Sequence, residues 1–175
     1  MADRTILVGI VLGSASDWPA VEPAVHLLRR WQVAHEVVVA SAHRSPERAH
    51  TYASEAEGRG LQVIIAVAGA AAHLAGVLAS KTILPVIGVP IASSPLQGFD
   101  SLLATAQMPA GVPVATMALG SAGARNAAIL AVQILARQDP LLQQRLREYK
   151  EEMAQAVVQA SGRLQVQIGN LNDSA

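Results

Sequence analysis

The sequence predicts a three-layer α/β/α domain built on a doubly wound parallel sheet. Three observations carry that expectation. Short β-branched apolar runs recur along the chain. They alternate from end to end with longer segments of helical pattern. Several of the runs are apolar without a polar alternation, as strands covered on both faces must be. Such alternation, with crossovers of ordinary length, builds right-handed βαβ units. The expected strand order is 2-1-3-4-5, the flavodoxin-like arrangement.

The first strand is expected over residues 5–12, a nearly unbroken apolar run. Gly13-Ser14-Ala15-Ser16-Asp17 follows as a loop, then a helix over residues 18–31. Asp17 suits its N-cap, and Pro19 its first turn, where a missing N–H costs nothing. A second strand over residues 35–40 runs into Ser41-Ala42-His43-Arg44, and Ser45-Pro46 restart a helix by the same cap-plus-proline logic. Gly58 and Gly60 close that helix. The third and fourth strands are expected over residues 63–67 and 85–90. Residues 112–116 make a short fifth strand, with Pro113 pointing to an edge position. Two helices remain, over residues 122–137 and from 140 to about 161. The chain of 175 residues reads as a single domain, long enough for a proper core. Its core is expected over about 5–137, followed by a C-terminal helix and tail over about 140–175.

Residues 61–79 approach the length and apolarity of a membrane span. Gln62, Gly69 and His73 interrupt the run, Val63-Ile64-Ile65 is β-branched, and residues 70–79 are rich in Ala and Leu. A strand, turn and helix are therefore expected there. Residues 126–136 are apolar almost all round, which demands burial on most sides. One deep core would satisfy that demand, and so would a subunit interface. A homo-oligomer is expected.

Composition narrows the function. The chain is 51% hydrophobic but only 3% aromatic, so Val, Ile, Leu and Ala must build the core. Lys+Arg and Asp+Glu both number 13, a balance that argues against a non-specific nucleic-acid binder. With no cysteine, disulfides, thiolate catalysis and Cys-ligated zinc are excluded, and a reducing cytoplasm is the expected compartment. Residues 1–4 lead straight into the first strand, without the pattern of a signal peptide.

Dinucleotide-binding and P-loop glycine motifs are missing. Gly120-Ser121-Ala122-Gly123 has the wrong spacing for a nucleophile elbow and reads as a turn opening the next helix. Among His26, His35, His43, His50 and His73 no pair has metal-binding helical spacing beside a carboxylate, so no metal is expected. His43 and His73 stand out because they follow strands two and three, at the edge where open α/β sheets bind ligands. Beside the permanent cation of Arg44, His43 suits a proton shuttle next to an anion clamp, although a hydrogen-bonded loop histidine is the plainer alternative. For His73, flanked by Ala and Leu, the two readings balance. Ser14 and Ser16 offer hydroxyls, and the helix start after them offers N–H groups to a phosphate. Asp17 is either a cap or an acceptor for ribose hydroxyls. Gly69 and Gly76 permit close backbone approach, or serve turns and packing.

These residues fall into blocks that resemble a known family. Gly13-Ser14-x-Ser16-Asp17, Ser41-Ala42-His43-Arg44-Ser45-Pro46 and Ala71-Ala72-His73-Leu74 look like the class I N5-carboxyaminoimidazole ribonucleotide mutases of purine (IMP) biosynthesis. So do Pro85-Val86-Ile87-Gly88-Val89-Pro90, Asp100-Ser101-Leu102-Leu103 and Gln107-Met108-Pro109-x-Gly111-Val112-Pro113-Val114. The resemblance runs from about residue 6 to residue 136. It implies an isomerase that moves a carboxylate from an exocyclic nitrogen to ring carbon C4, by decarboxylation and recapture of the carbon dioxide, without metal, ATP or organic cofactor. It implies His43 as the catalytic acid/base, since an imidazole titrates close enough to neutrality to donate and to accept. Arg44 then pairs with the 5′-phosphate, Ser14 and Asp17 bind substrate, and Ser16, Ser41 and Leu74 belong to the same contacts. His73 and the backbone around Gly69 line the carbon dioxide pocket. The implied partner is a small-molecule nucleotide, with no nucleic acid or membrane, and the implied assembly is a cytoplasmic homo-octamer.

The chain departs from the family pattern in the third loop. Val67 and Ala70 stand where glycine is usual, and Ala75 replaces proline. A positive φ at Ala70 would strain or reshape that loop. The nearest rival is the related carboxylase, which adds free carbon dioxide to aminoimidazole ribonucleotide. That branch resembles this one but carries Lys after its Ala-His pair, so Arg44 favours the mutase. A non-catalytic flavodoxin-like nucleotide-binding module is the more distant alternative. The few aromatics disfavour a flavin carrier, and Gly13-Ser14 and Gly69 stand where a receiver domain needs acidic residues. A purely structural oligomer would leave the clustered Ser, Asp, His and Arg unexplained.

Overall fold

The structure, a computed structural model, describes residues 5–172. The chain divides into two compact units between Leu135 and Ala136. In the first, β1 (Val8–Leu12), β2 (His35–Val39), β3 (Val63–Gly69), β4 (Val86–Ile91) and β5 (Ala115–Thr116) form one sheet. All its pairings are parallel and its order is β2-β1-β3-β4-β5, as the alternating pattern predicts. The helices are α1 (Trp18–Arg30), α2 (Pro46–Ala56), α3 (Leu74–Ala79), α4 (Phe99–Ala106) and α5 (Gly120–Leu135). The second unit contains α6 (Pro140–Asn172).

Burial explains why β1 lies inside the sheet. All five of its residues are buried, and so are the first five of β3. Only strands with neighbours on both sides and helices on both faces can bury apolar runs so completely. Alternation sends Val11, Ile64 and Ala66 to one face, where they join Tyr52, Leu74 and Leu78 of α2 and α3 in a single apolar cluster. Ile10 and Ile65 point to the other face, and α1 packs against α5. β1 pairs with both neighbours at one level: Leu12 lies opposite Val39 on one side and Val67 on the other. The loops after β1 and β2 therefore leave the sheet together, with β3 continuing two residues further to Gly69.

Tyr52 supplies the bulk that an aromatic-poor core otherwise lacks. It lies over Gly9, where a Cβ would stand 2.0 Å from the phenolic oxygen and 2.7 Å from Leu61 Cδ2. The phenol donates to Glu36 Oε1 at 2.8 Å, and Arg59 Nη2 donates to the same oxygen at 2.7 Å. Burial, followed by the Glu36 carboxylate, pushes the Tyr52 hydroxyl pKa up. Burial also opposes ionisation of Glu36, yet the hydrogen bonds from Arg59 and Tyr52 hold its carboxyl below the ordinary range.

Several boundaries differ from the sequence reading. β1 begins at Val8 rather than residue 5, and β5 is two residues long because it starts only after Pro113, which has no N–H for a ladder. Helix α4 was not anticipated. It follows Gly98 at φ 93° and has no side-chain cap, so Asp100 in its first turn is the one start signal that marks it. Residues 70–73 form a tight turn, which leaves α3 six residues. Gly60 adopts φ 92° after α2, as its closing role requires. Gly120 opens α5 at φ 65°, in agreement with the turn reading of Gly120-Ser121-Ala122-Gly123. Helix α6 runs to Asn172 through Gly162 and Gly169, well past residue 161. Residues 1–4, read as lacking a signal peptide, and tail residues 173–175 lie outside the described residues. Residues 61–79 form β3, the turn and α3, and among the described residues no helix is long and apolar enough to cross a membrane.

Replacing Gly9 with Ala should displace Tyr52 and break its bond to Glu36. Urea denaturation should show a loss of about 2 kcal/mol, with a lower midpoint and an unchanged slope.

Candidate active site

The loop after β1 is organised by its own short polar side chains. Ser14 is extended (φ −150°, ψ 148°) and caps a 3₁₀ turn over Ala15–Asp17. Its hydroxyl accepts the Ser16 N–H at 3.3 Å and the Ser16 hydroxyl at 2.8 Å. Asp17 Oδ2 accepts the Ser14 N–H at 3.2 Å, which completes a reciprocal capping box. The side chain of Asp17 therefore does not cap α1, contrary to the sequence reading. Asp17 is itself helical (φ −81°, ψ −10°), whereas an N-cap residue that bonds forward is extended. The residue as a whole is only 6% exposed. Burial raises its pKa, and the Ser14 N–H and the nearby Arg44 charge offset this only in part.

After β2 the chain folds tightly around Ser41. Its N–H donates to Ser45 Oγ at 2.9 Å, and its hydroxyl accepts the Arg44 N–H at 3.1 Å. Pro46 opens α2 as expected, but the Ser45 hydroxyl is turned back to Ser41 and makes no cap bond. Arg44 Nη2 donates to the Gly13 carbonyl at 3.2 Å, which ties the second loop to the first.

The third loop contains the strain that its missing glycine implies. Ala70 adopts φ 50°, a conformation that costs an L-residue about 1–2 kcal/mol. The turn is closed by Ala72 N–H to Ala70 O and His73 N–H to Ala71 O, both 2.8 Å. Gly69 is required by close approach, since a Cβ there would lie 2.0 Å from Ser93 Oγ. Gly76 is similarly tight against Met108, 2.9 Å from where a Cβ would stand. The turn sets His73 beside the second loop, with His43 Nε2 and His73 Nδ1 2.9 Å apart. The two rings are nearly perpendicular, at 83°, with centroids 5.0 Å apart.

These loops enclose a cleft of about 270 Å³. Of the sequence-predicted site residues, Ser14, Ser16, Asp17, Ser41, His43, Arg44, Gly69 and Leu74 all line it. His73 does not. It reaches the cleft through His43 and itself lines a second, more apolar cleft of about 490 Å³ with Gly76 and Met108. Sequence reasoning missed Ser93, which lines the first cleft from the loop after β4. The signal that singled out the other loops, a polar residue just past a strand end, applied to Ser93 too. Among the described residues no three His, Asp or Glu side chains are placed to hold a metal ion.

A guanidinium, paired serine hydroxyls, a buried carboxyl and an imidazole now face one small cleft. Such a site suits an anionic, hydroxylated small molecule and a proton transfer at its surface. Fold and cleft together define a doubly wound α/β protein with a polar cleft at the carboxyl edge of the sheet, where proteins of this class bind ligands. The chain belongs to the AIR carboxylase family, whose model matches residues 7–156. It is 51% identical over 165 residues to the N5-carboxyaminoimidazole ribonucleotide mutase of Pyrococcus horikoshii, covering 94% of this chain and 92% of that one. To the mutase of the same name from Bacillus subtilis it is 51% identical over 158 residues, covering 90% and 98%. For that from Escherichia coli K12 the identity is 49% over 152 residues, covering 87% and 90%. Its fold superimposes on the crystal structure of Treponema denticola PurE with a TM-score of 0.81 at 26% identity, covering 90% of this chain and 98% of that one.

The raised pKa of Asp17 has a definite consequence for stability. The folded state holds that proton more tightly than the unfolded chain, so stability falls as pH rises through the carboxylate range and Asp17 ionises. Asp17→Asn should therefore raise the melting temperature at neutral pH. In a pH series of melting curves the gain should disappear in acid, where Asp17 is already neutral.

Proposed function

We propose that this chain is an N5-carboxyaminoimidazole ribonucleotide mutase working in the cleft between Ser14, His43 and Arg44. Relatives at 49–51% identity over about nine-tenths of the chain bear that name. The single structural observation that supports the assignment is His43 beside Arg44 in the cleft. Arg44 holds the 5′-phosphate, with the hydroxyls of Ser14, Ser16 and Ser41 around it. Asp17 accepts from the ribose. Gly69 and Leu74 lie beside the carbon dioxide, whereas His73, which does not line this cleft, stands behind His43.

The reaction balances around one proton. As the carboxylate leaves the exocyclic nitrogen, the N–C bond breaks and that nitrogen gains a proton. Ring carbon C4 then attacks the trapped carbon dioxide, a C–C bond forms, and C4 loses a proton. One group that gives the first proton and takes the second returns to its starting state, and His43 is that group. No redox partner or phosphoryl donor enters the balance. Direct carboxylation of aminoimidazole ribonucleotide is the less favoured reading, because the relatives at 49–51% identity are named mutases.

The assembly we propose is a cytoplasmic homo-octamer. Phe99 and Leu103 of α4 and the preceding Leu96 are exposed, at 69%, 55% and 62%. Within α6, Met153, Val157, Leu164 and Ile168 are exposed along a 33-residue helix. Apolar surface on this scale marks contact faces.

Purified protein should isomerise the N5-carboxylated nucleotide without ATP. Activity on aminoimidazole ribonucleotide plus bicarbonate alone would reassign it to the carboxylase. His43→Asn should cut kcat by about 10²–10⁴-fold and leave nucleotide affinity within a few-fold, whereas Arg44→Ala should weaken binding by about 10–100-fold. Light scattering should give eight times the 18.2 kDa chain mass, and Phe99→Glu should yield smaller species.

A further inference from the structure

We propose that His73 is the positioning residue of His43: its Nδ1 accepts the His43 Nε2–H and so reserves His43 Nδ1 for the substrate. The inference rests on the acid/base reading of His43. Its geometric basis is the 2.9 Å contact between those two nitrogens. One N–H lies between them, so one ring donates and the other accepts. If both faced the contact protonated, the two N–H groups would collide, and the pair therefore carries at most one positive charge while the contact holds.

The direction of the bond follows from the proton cycle. His43 must begin as an imidazolium, with protons on both nitrogens. If His73 were the donor, a protonated His43 Nε2 could not share the contact, and the cationic form would break the pair at every turnover. With His73 as acceptor, His43 keeps Nε2–H throughout. Its Nδ1 gives a proton to the exocyclic nitrogen, stands bare, and takes the proton from C4 with no change of tautomer. Among the described residues His43 makes no other hydrogen bond through its ring, so His73 is what orients it.

The third loop explains how His73 reaches that place. Its backbone is held by His73 N–H to Ala71 O at 2.8 Å and by Val77 N–H to His73 O at 3.0 Å. The left-handed residue Ala70 turns the chain there, so the strained alanine helps to position an imidazole acceptor. Asp17 and Arg44 are the charged groups that share the cleft with His43. Both remain when His73 is changed.

Nitrogen-15 NMR of the His43 ring in the free enzyme reads the tautomer directly. Neutral His43 should carry its proton on Nε2 in the wild type and in His73→Asn, whose amide oxygen can still accept, and should become a mixture in His73→Ala. An Nδ1–H tautomer in the wild type, or no change in His73→Ala, would overturn the proposal. In turnover, His73→Ala should lose about 10–100-fold in kcat with KM within a few-fold. His73→Asn should keep most of the rate; if it is as slow as His73→Ala, the acceptor role is wrong. Full turnover by His43→Asn would instead sink the acid/base reading, and the tautomer result would stand apart from it.

Discussion

The site depends on one constraint, the common register of β1 with both of its neighbours. Leu12 is level with Val39 on one side and with Val67 on the other. A slip of one residue would turn every side chain of a strand to the opposite face. It would also move the loop that follows by a residue's rise, about 3.3 Å. The distances between Arg44 and Gly13 and between His43 and His73 are no longer than that, so neither contact would survive. The fully buried apolar runs of β1 and β3 are what make such a slip costly.

Upon that rigid edge the loops carry local features that a stable fold alone would not favour. Asp17 keeps a carboxyl in a place where burial opposes its charge. Ala70 holds a left-handed conformation that glycine would adopt without penalty. Each is over-determined by its surroundings: Asp17 by the Ser14 N–H, and Ala70 by the paired bonds of its turn. Strain that persists beside a cleft is consistent with use, and here it sets His73 against His43.

Far from the cleft, Tyr52, Glu36 and Arg59 show the opposite arrangement, with a buried hydroxyl and a guanidinium both donating to one carboxylate oxygen. The absence of a side chain at Gly9 lets Tyr52 fill the space that an aliphatic core left open. That cluster ties β2 to α2 and holds the edge strand in place without exposing an unpaired charge.

Hydrophobic patterning by itself determined the parallel sheet covered by helices on both faces, because continuous β-branched runs can be buried only there, and the order 2-1-3-4-5 expected of such a sheet is the one observed. Residue type after a strand end was enough to find Ser14, Ser16, Asp17, Ser41, His43 and Arg44, and the quoted motifs were enough to point to the family. Helix α4 was not legible, since Gly98 opens it with a left-handed turn rather than a cap. Ser93 was not legible as a neighbour of Gly69, because that approach links β3 to β4 across the sheet. The roles of Asp17 and Ser45 as helix caps read plausibly from spacing but were reversed by backbone angles, which composition does not encode. The pairing of His43 with His73, thirty positions apart in the chain, was likewise decided only by the tertiary structure. Periodicity reports which face a side chain must bury, a local property of the chain, whereas the meeting of two loops depends on strand register and turn angles set by the whole sheet.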